Sequence, residues 1–146
     1  MKELFVILMG SLLLVSSASY ARDSVKGYSI AEVLDLEQSK AKLGDDIGFF
    51  FGDQLHGEIL KEYGTFKTNK KTNAFGKSDI KACQWVFLSA MIALRDRAAQ
   101  EGGNAVINIK SNYKNILTSS KDNFQCGAGN VVAGVALVGT VVEIKE

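Results

Sequence analysis

The segment from Asp79 to Glu101 constrains the fold of this chain most, because its apolar residues recur with the spacing of an amphipathic helix. Ser78 is a favourable N-cap, and Asp79 places a negative charge at the positive end of the helix dipole. Gly102 and Gly103 end the helix, because glycine adopts the left-handed C-cap conformation at little cost. The apolar stripe consists of Ile80, Cys83, Phe87, Ala90, Met91, Leu94 and Ala98. A helix with one apolar face must cover another layer of the fold, which the remaining sequence has to supply.

The sequence on either side of this helix favours strands. Four segments are apolar or alternate between apolar and polar residues, and glycine or polar residues bound them: 47–51, 58–67, 104–113 and 124–144. The last segment contains four glycines, which inside a strand indicate bulges or the close approach of another backbone. The predicted fold class is α+β, with one principal helix packed on an antiparallel sheet.

The remaining segments predict less regular structure. Residues 22–43 have a loosely helical spacing of apolar residues, and 44–46 has the composition of a turn. Residues 67–73 contain no apolar side chain, so we expect a solvated loop there. Within the last strand, Gly134 and Ala136 share one face. Because both are small, we expect the helix to pack closely against that face.

The N-terminal segment has the parts of a secretory signal peptide. An apolar core follows Lys2, and small residues precede an expected cleavage site between Ala21 and Arg22. Cleavage makes 1–21 a signal peptide and 22–146 a single exported α+β domain. The apolar run is short for a permanent membrane span; an uncleaved anchor and a buried helix are the alternatives. Export predicts a periplasmic or secreted protein that is soluble once the signal peptide is removed, with no transmembrane helix in the mature chain.

Export also bears on the two cysteines, Cys83 and Cys126. In an oxidising compartment a single pair of cysteines most often forms a disulfide. Closing a loop of this length stabilises a fold by about 4 kcal/mol in the chain-entropy description. A redox-active pair is the alternative, but such pairs favour a short Cys-x-x-Cys spacing, whereas these residues are far apart. We therefore predict a structural disulfide.

Several short motifs resemble a family of small exported proteobacterial proteins. They are Lys81-Ala82-Cys83-Gln84-Trp85, Gly102-Gly103-Asn104-Ala105-Val106, Phe124-Gln125-Cys126 and Ala133-Gly134-Val135-Ala136-Leu137. This family is commonly labelled as the ATPase subunit of the ABC excinuclease, and the resemblance extends over most of the mature domain. The order of a helix, a turn of small residues and a strand is also similar to the outer-membrane stress sensor RcsF and to YbjQ-like domains. That second resemblance implies the same layout, although the chain lacks the lipidated cysteine, Pro-rich linker and second disulfide of RcsF.

The excinuclease label implies ATP and DNA binding, which the residues do not support. Holding ATP phosphates needs a loop of the form G-x-x-x-x-G-K-[ST], which does not occur in the chain. Two cysteines and one histidine are too few for the zinc modules of that DNA-repair protein. The net charge of +1 gives no strong field toward nucleic acid. We interpret the label as a misnomer and expect no nucleotide, nucleic acid, metal or other cofactor.

His56 lies between two predicted strands and is close in sequence to Asp53 and Glu58. An imidazole with carboxylates forms a weak metal site at most, because a single chain with one histidine offers few ligands. A surface histidine is the simpler interpretation. A hydrolase triad would add Ser119 or Ser120 to the histidine and Asp53, but no G-x-S-x-G nucleophile elbow accompanies these serines. We predict no catalytic residue.

One basic cluster is a candidate for contact with a partner. It comprises Lys67, Lys70, Lys71 and Lys77, with Lys81 close behind. Such a cluster attracts lipid headgroups, polysaccharide or an acidic protein surface. The alternative is a solvated loop that flanks the start of the helix.

These observations favour a small periplasmic or secreted domain, stapled by a disulfide, that is not an enzyme. We expect it to act by binding an envelope protein or an anionic component of the envelope. The alternatives are an exported hydrolase that acts on envelope or host material, and a secreted effector. The sequence contains few titratable residues with the paired spacing of a catalytic pocket, which favours the binding domain.

Overall fold

The computed structural model describes residues 24–146, so the predicted signal peptide and its cleavage site lie outside the described residues. The strands are β1 Ser24–Ser29, β2 Gly48–Phe51, β3 Ile59–Asn73, β4 Ala105–Ser111, β5 Asn123–Ala128 and β6 Val132–Ile144. The helices are α1 Ile30–Leu34, α2 Glu37–Leu43 and α3 Asp79–Glu101, and a 3₁₀ turn spans Tyr113–Asn115. The predicted α+β class is confirmed.

All these strands belong to one sheet, in which β6 is the central element. The order is β1-β5-β6-β4-β2, and β3 pairs with the other edge of β6 along its whole length. β2 is parallel to β4, whereas the other pairs are antiparallel. The sheet is therefore mixed, and the prediction of a purely antiparallel sheet is wrong. The long connection through β3 and α3 provides the crossover that a parallel pair requires.

The helix α3 packs on one face of this sheet and forms the core with it. Ser78 accepts a hydrogen bond from the Lys81 N–H, and Gly102 closes the helix with φ of 84°, as the sequence predicts. The buried residues of α3 are Ala82, Cys83, Val86, Phe87, Leu88, Ala90, Met91, Leu94 and Ala98. Ile80 is the exception in the predicted stripe, because 47% of its surface is exposed.

The disulfide between Cys83 and Cys126 joins α3 to β5, as predicted, with their Cα atoms 5.9 Å apart. Both cysteines are completely buried in the core. The bond therefore fixes the first half of the helix to the sheet from within the core. Within residues 24–146, no helix has the length and apolar character that a membrane span requires.

The predicted solvated loop at 67–73 is wrong, because these residues continue β3. They pair in regular register with β6, from Lys67 opposite Val138 to Asn73 opposite Val132. A strand at a sheet edge with little covering needs no buried side chains, so the absence of apolar residues did not prevent pairing. Thr68 and Thr72 supply β-branched side chains within the stretch.

The expected packing of the helix against Gly134 and Ala136 is also wrong. The β6 residues in the core beneath α3 are Ala133, Val135, Leu137 and Val141. Side chains alternate along a strand, so residues 134 and 136 point to the other face. There Gly134 lies next to the ring of Tyr113 rather than the helix.

Two further segments differ from the sequence pattern. Residues 22–43 contain the strand β1 before the two short helices α1 and α2, and Ser29 caps α1 through the Glu32 N–H. Residues 124–144 form two antiparallel strands, β5 and β6, rather than one. Gly129 starts the connection between them and donates its N–H to the Val132 carbonyl at 2.9 Å.

Candidate functional site

The four lysines predicted as partner contacts do not share a loop. Lys67, Lys70 and Lys71 are exposed residues of β3, and Lys77 lies in the turn before α3. Strand alternation places Lys70 on the side of the sheet that faces α3, and Lys67 and Lys71 on the opposite side. Lys77 donates from Nζ to the Asn73 carbonyl at 3.0 Å. The predicted cluster is therefore divided among three surfaces.

The strand β3 has one edge paired and one edge free. It pairs with β6, and no other strand of residues 24–146 pairs with it. Bulges near Ile59 and Glu62 disturb the first third of the strand, so the regular part is 65–73. An edge of this kind presents a row of main-chain N–H and C=O groups to whatever lies beside it. β3 is thus a long template for a further strand.

A groove of about 330 Å³ runs between this strand and α3, and we call it the β3–α3 groove. It is lined by Phe66, Lys67, Thr68, Asn69, Lys70, Ala93, Leu94 and Arg97. Five consecutive β3 residues contribute, and consecutive residues point to opposite faces, so the groove follows the edge of the strand. Main-chain groups and side chains are therefore available in the same place.

The β3–α3 groove combines apolar, cationic and uncharged polar side chains. The Arg97 guanidinium lies 4.0 Å from the ring centroid of Phe66, and its Nε pairs with Glu101 at 2.9 Å. The Thr68 hydroxyl oxygen is buried and has no hydrogen-bond partner among the described residues. A buried hydroxyl without a partner is costly, and an added group that hydrogen-bonds to it removes that cost.

The charge along the regular part of β3 is positive and uncompensated. Lys67, Lys70 and Lys71 form no ion pair in the described part of the chain. The only acidic residue of the strand is Glu62, which lies in the bulged part. The edge therefore favours a neighbour that carries carboxylates.

His56 lies in the exposed loop between β2 and β3. Its Nδ1 is 2.7 Å from the Gly57 carbonyl oxygen. Its ring packs edge-on against the ring of Phe50, with the two ring centroids 5.7 Å apart. The structure gives it no hydrogen bond to Asp53, Ser119 or a second carboxylate within residues 24–146. These contacts describe a surface histidine packed on an aromatic ring, which fits the simpler interpretation from the sequence.

Metal ligands do not gather elsewhere in the described residues. No group of three or more His, Cys, Asp or Glu side chains is placed to hold a metal ion there. Both cysteines are occupied by the disulfide.

A second groove, of about 370 Å³, lies on the sheet face opposite α3. Asn108 and Asn115 line it with φ of 52° and 63°, in the left-handed region that asparagine tolerates better than most residues. Asn108 lies in a bulge of β4, between Ile107 and Lys110. Lys67 borders this groove as well, so the outer face beside β3 is polar and basic.

The sequence pattern missed the exposed apolar face of α3. Ile80 was expected in the core, and Trp85 lies beside it with 43% of its surface exposed. Buried residues recur as the pairs 82–83, 86–87 and 90–91. This repeat of four residues defines the buried side of the helix, and Ile80 and Trp85 do not belong to it.

Comparisons with protein-family models, curated proteins and solved structures find no match for this chain.

Proposed function

We propose that the chain is an exported, non-enzymatic binding domain of the cell envelope, periplasmic or secreted, that holds an extended acidic segment of a partner protein along the free edge of β3. The observation that carries this proposal is the free edge of β3 beside the β3–α3 groove. Addition of a strand to an exposed sheet edge is a common mode of peptide recognition. Main-chain hydrogen bonds supply affinity there, and pockets for alternate side chains supply specificity.

The two faces of β3 specify the side chains of the added strand. On the outer face, Lys67 and Lys71 flank Asn69, so carboxylates four residues apart in a partner would each meet an ammonium group, and the position between them would lie opposite Asn69. On the helix side, Phe66 and Ala93 offer apolar surface to the intervening residues. The expected partner segment therefore alternates acidic and apolar residues.

A second copy of the chain fits this edge less well. If two β3 strands paired antiparallel about Asn69, Lys67 of each strand would lie opposite Lys71 of the other. Two pairs of like charges would then face each other. Like charges directly opposite on neighbouring strands are destabilising. The lysines thus select against self-association while they attract an acidic segment, which is the usual protection of a long free edge.

Export is supported by the disulfide between Cys83 and Cys126, since such bonds persist in oxidising compartments. A distant likeness of layout to RcsF and YbjQ-like domains is part of the same proposal. It is supported by the long helix, the Gly102-Gly103 turn and the strand β4 that follows.

Peptide binding tests the proposal. The probe is a short, fluorescently labelled peptide in which Glu and Val alternate, and its anisotropy is followed as protein is added. The matched peptides have Lys in place of Glu, or Pro in place of each Val. We expect saturable binding of the Glu-Val peptide alone, because Pro removes main-chain donors and Lys reverses the charge.

The protein variant for this test is Lys67→Glu with Lys71→Glu. We expect it to lower the affinity for the Glu-Val peptide by roughly tenfold or more, because two attractive charge pairs become repulsive. Lys26→Glu, on the exposed edge strand β1, is the single-site control for a charge reversal at another edge and should leave affinity unchanged. Equal binding of all three peptides, or an equal effect of both variants, would overturn the proposal.

A further inference from the structure

A second surface of the molecule, between α2 and the first turns of α3, has a different chemistry from the edge of β3. It is a groove of about 600 Å³ that we call the Trp85 groove. The residues that matter to its chemistry are Leu36, Lys77, Ile80, Lys81, Gln84 and Trp85. Its volume lies in the range of small-molecule sites, about 300–1,000 Å³.

The position of this groove on α3 follows from what the helix buries. Ala82, Cys83, Val86 and Phe87 are completely buried, so the residues between them point away from the sheet. Ile80, Lys81, Gln84 and Trp85 therefore form a separate outward face. The disulfide of Cys83 holds this part of the helix to the sheet, so the floor of the groove is fixed.

The opposite wall is α2, which is tied to α3. The Arg95 guanidinium donates a hydrogen bond to the Lys42 carbonyl, and it also pairs with Asp96. The Lys42 ammonium lies 4.5 Å from the centroid of the Trp85 ring. The indole face is thus apolar surface with a cation directly above it.

The charged side chains that line the groove are all cationic. Lys77 and Lys81 line it, Lys42 lies over its tryptophan, and no acidic side chain of residues 24–146 lines it. Lys81 and Lys42 form no ion pair in the described part of the chain. The nearby carboxylate of Glu37 faces Lys40 at 3.8 Å instead.

We propose that the Trp85 groove binds a single-chain anionic amphiphile of the fatty-acid class. Its acyl chain would lie on Leu36, Ile80 and Trp85, where burial of apolar surface supplies affinity. Its carboxylate would lie among the ammonium groups of Lys42 and Lys81, which supply charge-assisted hydrogen bonds. This site is independent of the edge of β3 and of the proposed peptide binding.

Intrinsic fluorescence tests this site directly, because Trp85 is the one tryptophan of the chain. The probe is decanoate below its micelle concentration. Decyltrimethylammonium has the same chain with the opposite charge, and acetate has the carboxylate without the chain. We expect a saturable blue shift of Trp85 emission with decanoate alone.

Two variants locate the ligand. Lys81→Gln removes one cation, and Ile80→Ser removes apolar surface from an exposed position. Each variant should lower the affinity for decanoate by about fivefold. Lys121→Gln, an exposed residue of the loop between β4 and β5 that does not line the groove, is the matched control. The pair Lys67→Glu and Lys71→Glu should leave the decanoate response unchanged, which separates this proposal from the peptide site.

Three results would overturn the inference. No saturable change with decanoate would exclude the ligand class, and an equal response to decyltrimethylammonium would mean that the groove takes any detergent. A response to vesicles that contain anionic lipid, without one to monomeric decanoate, would identify a membrane surface as the occupant instead.

Discussion

Phe87 of α3 and Phe124 of β5 stack with their ring centroids 4.0 Å apart and their planes inclined by 14°. Cys83 lies one helical turn before Phe87, and Cys126 lies two residues after Phe124 on the same face of β5. The same two elements are therefore joined both by a covalent bond and by an aromatic pair. This junction holds α3 over the sheet and so defines one wall of the β3–α3 groove.

The first prediction concerns the oxidation state of the cysteines. Protein recovered from an oxidising compartment should contain no free thiol, because Cys83 and Cys126 are bonded to each other and completely buried. Titration with a thiol reagent under denaturing conditions measures this. Two reactive thiols per chain would contradict it.

The second prediction concerns the contribution of the disulfide to stability. The double variant Cys83→Ala with Cys126→Ala should lose up to about 4 kcal/mol of unfolding free energy, since the unfolded chain gains the entropy of the opened loop. Denaturant melts followed by circular dichroism measure the loss. Wild-type protein reduced before the melt is the control and should show a similar loss. An unchanged midpoint in both samples would refute the assigned role.

The third prediction compares two glycines of β6. A methyl group on Gly139 would lie 2.6 Å from Val106 Cγ1 and 3.3 Å from Ile109 Cγ1, both in completely buried residues. Gly139→Ala should therefore cost about 1–3 kcal/mol through overpacking. The matched variant is Gly134→Ala, whose added carbon meets its nearest neighbour at 3.5 Å.

Gly134→Ala should be neutral or stabilising by about 0.4–1 kcal/mol, because alanine restricts the unfolded chain. Denaturant midpoints of the two variants decide the comparison. Equal effects would mean that the packing between β4 and β6 differs from the one described.

The fourth prediction concerns the contribution of Lys67 and Lys71 to the stability of the fold. Lys67→Glu with Lys71→Glu should change the free energy of unfolding by no more than about 0.5 kcal/mol per site, because both side chains are exposed and form no ion pair with any residue of 24–146. A thermal melt measures this. A large loss of stability would show that these lysines support the fold rather than a partner.

The sequence predicted the elements whose signals are local. The helix from Asp79 to Glu101 has both its caps in the sequence, and the pairing of Cys83 with Cys126 followed from their number and the expected compartment. The continuation of β3 past Lys67 could not be read in this way, because its pairing energy comes from the main chain of β6, which is distant in sequence. The parallel pairing of β2 likewise depends on tertiary contacts that no local pattern encodes.

The candidate site was predicted in part. The lysines at 67, 70 and 71 were identified by charge alone, but their division between two faces of a strand required the knowledge that they form a strand. The groove beside them combines residues 66–70 with Ala93 and Arg97, and only the packing of α3 on β3 brings these together. Only the position of Trp85 relative to the buried pairs of α3 indicates in the sequence that its side chain is exposed.

Amide hydrogen exchange of β3, with and without the Glu-Val peptide, tests the central proposal most directly. A strand added at the free edge would bond to alternate main-chain N–H groups of residues 65–73, so we predict slower exchange there and no change in β1, another edge strand of the sheet. Slower exchange at β1 or in the loops, or bound peptide without any slowing in β3, would contradict the proposal.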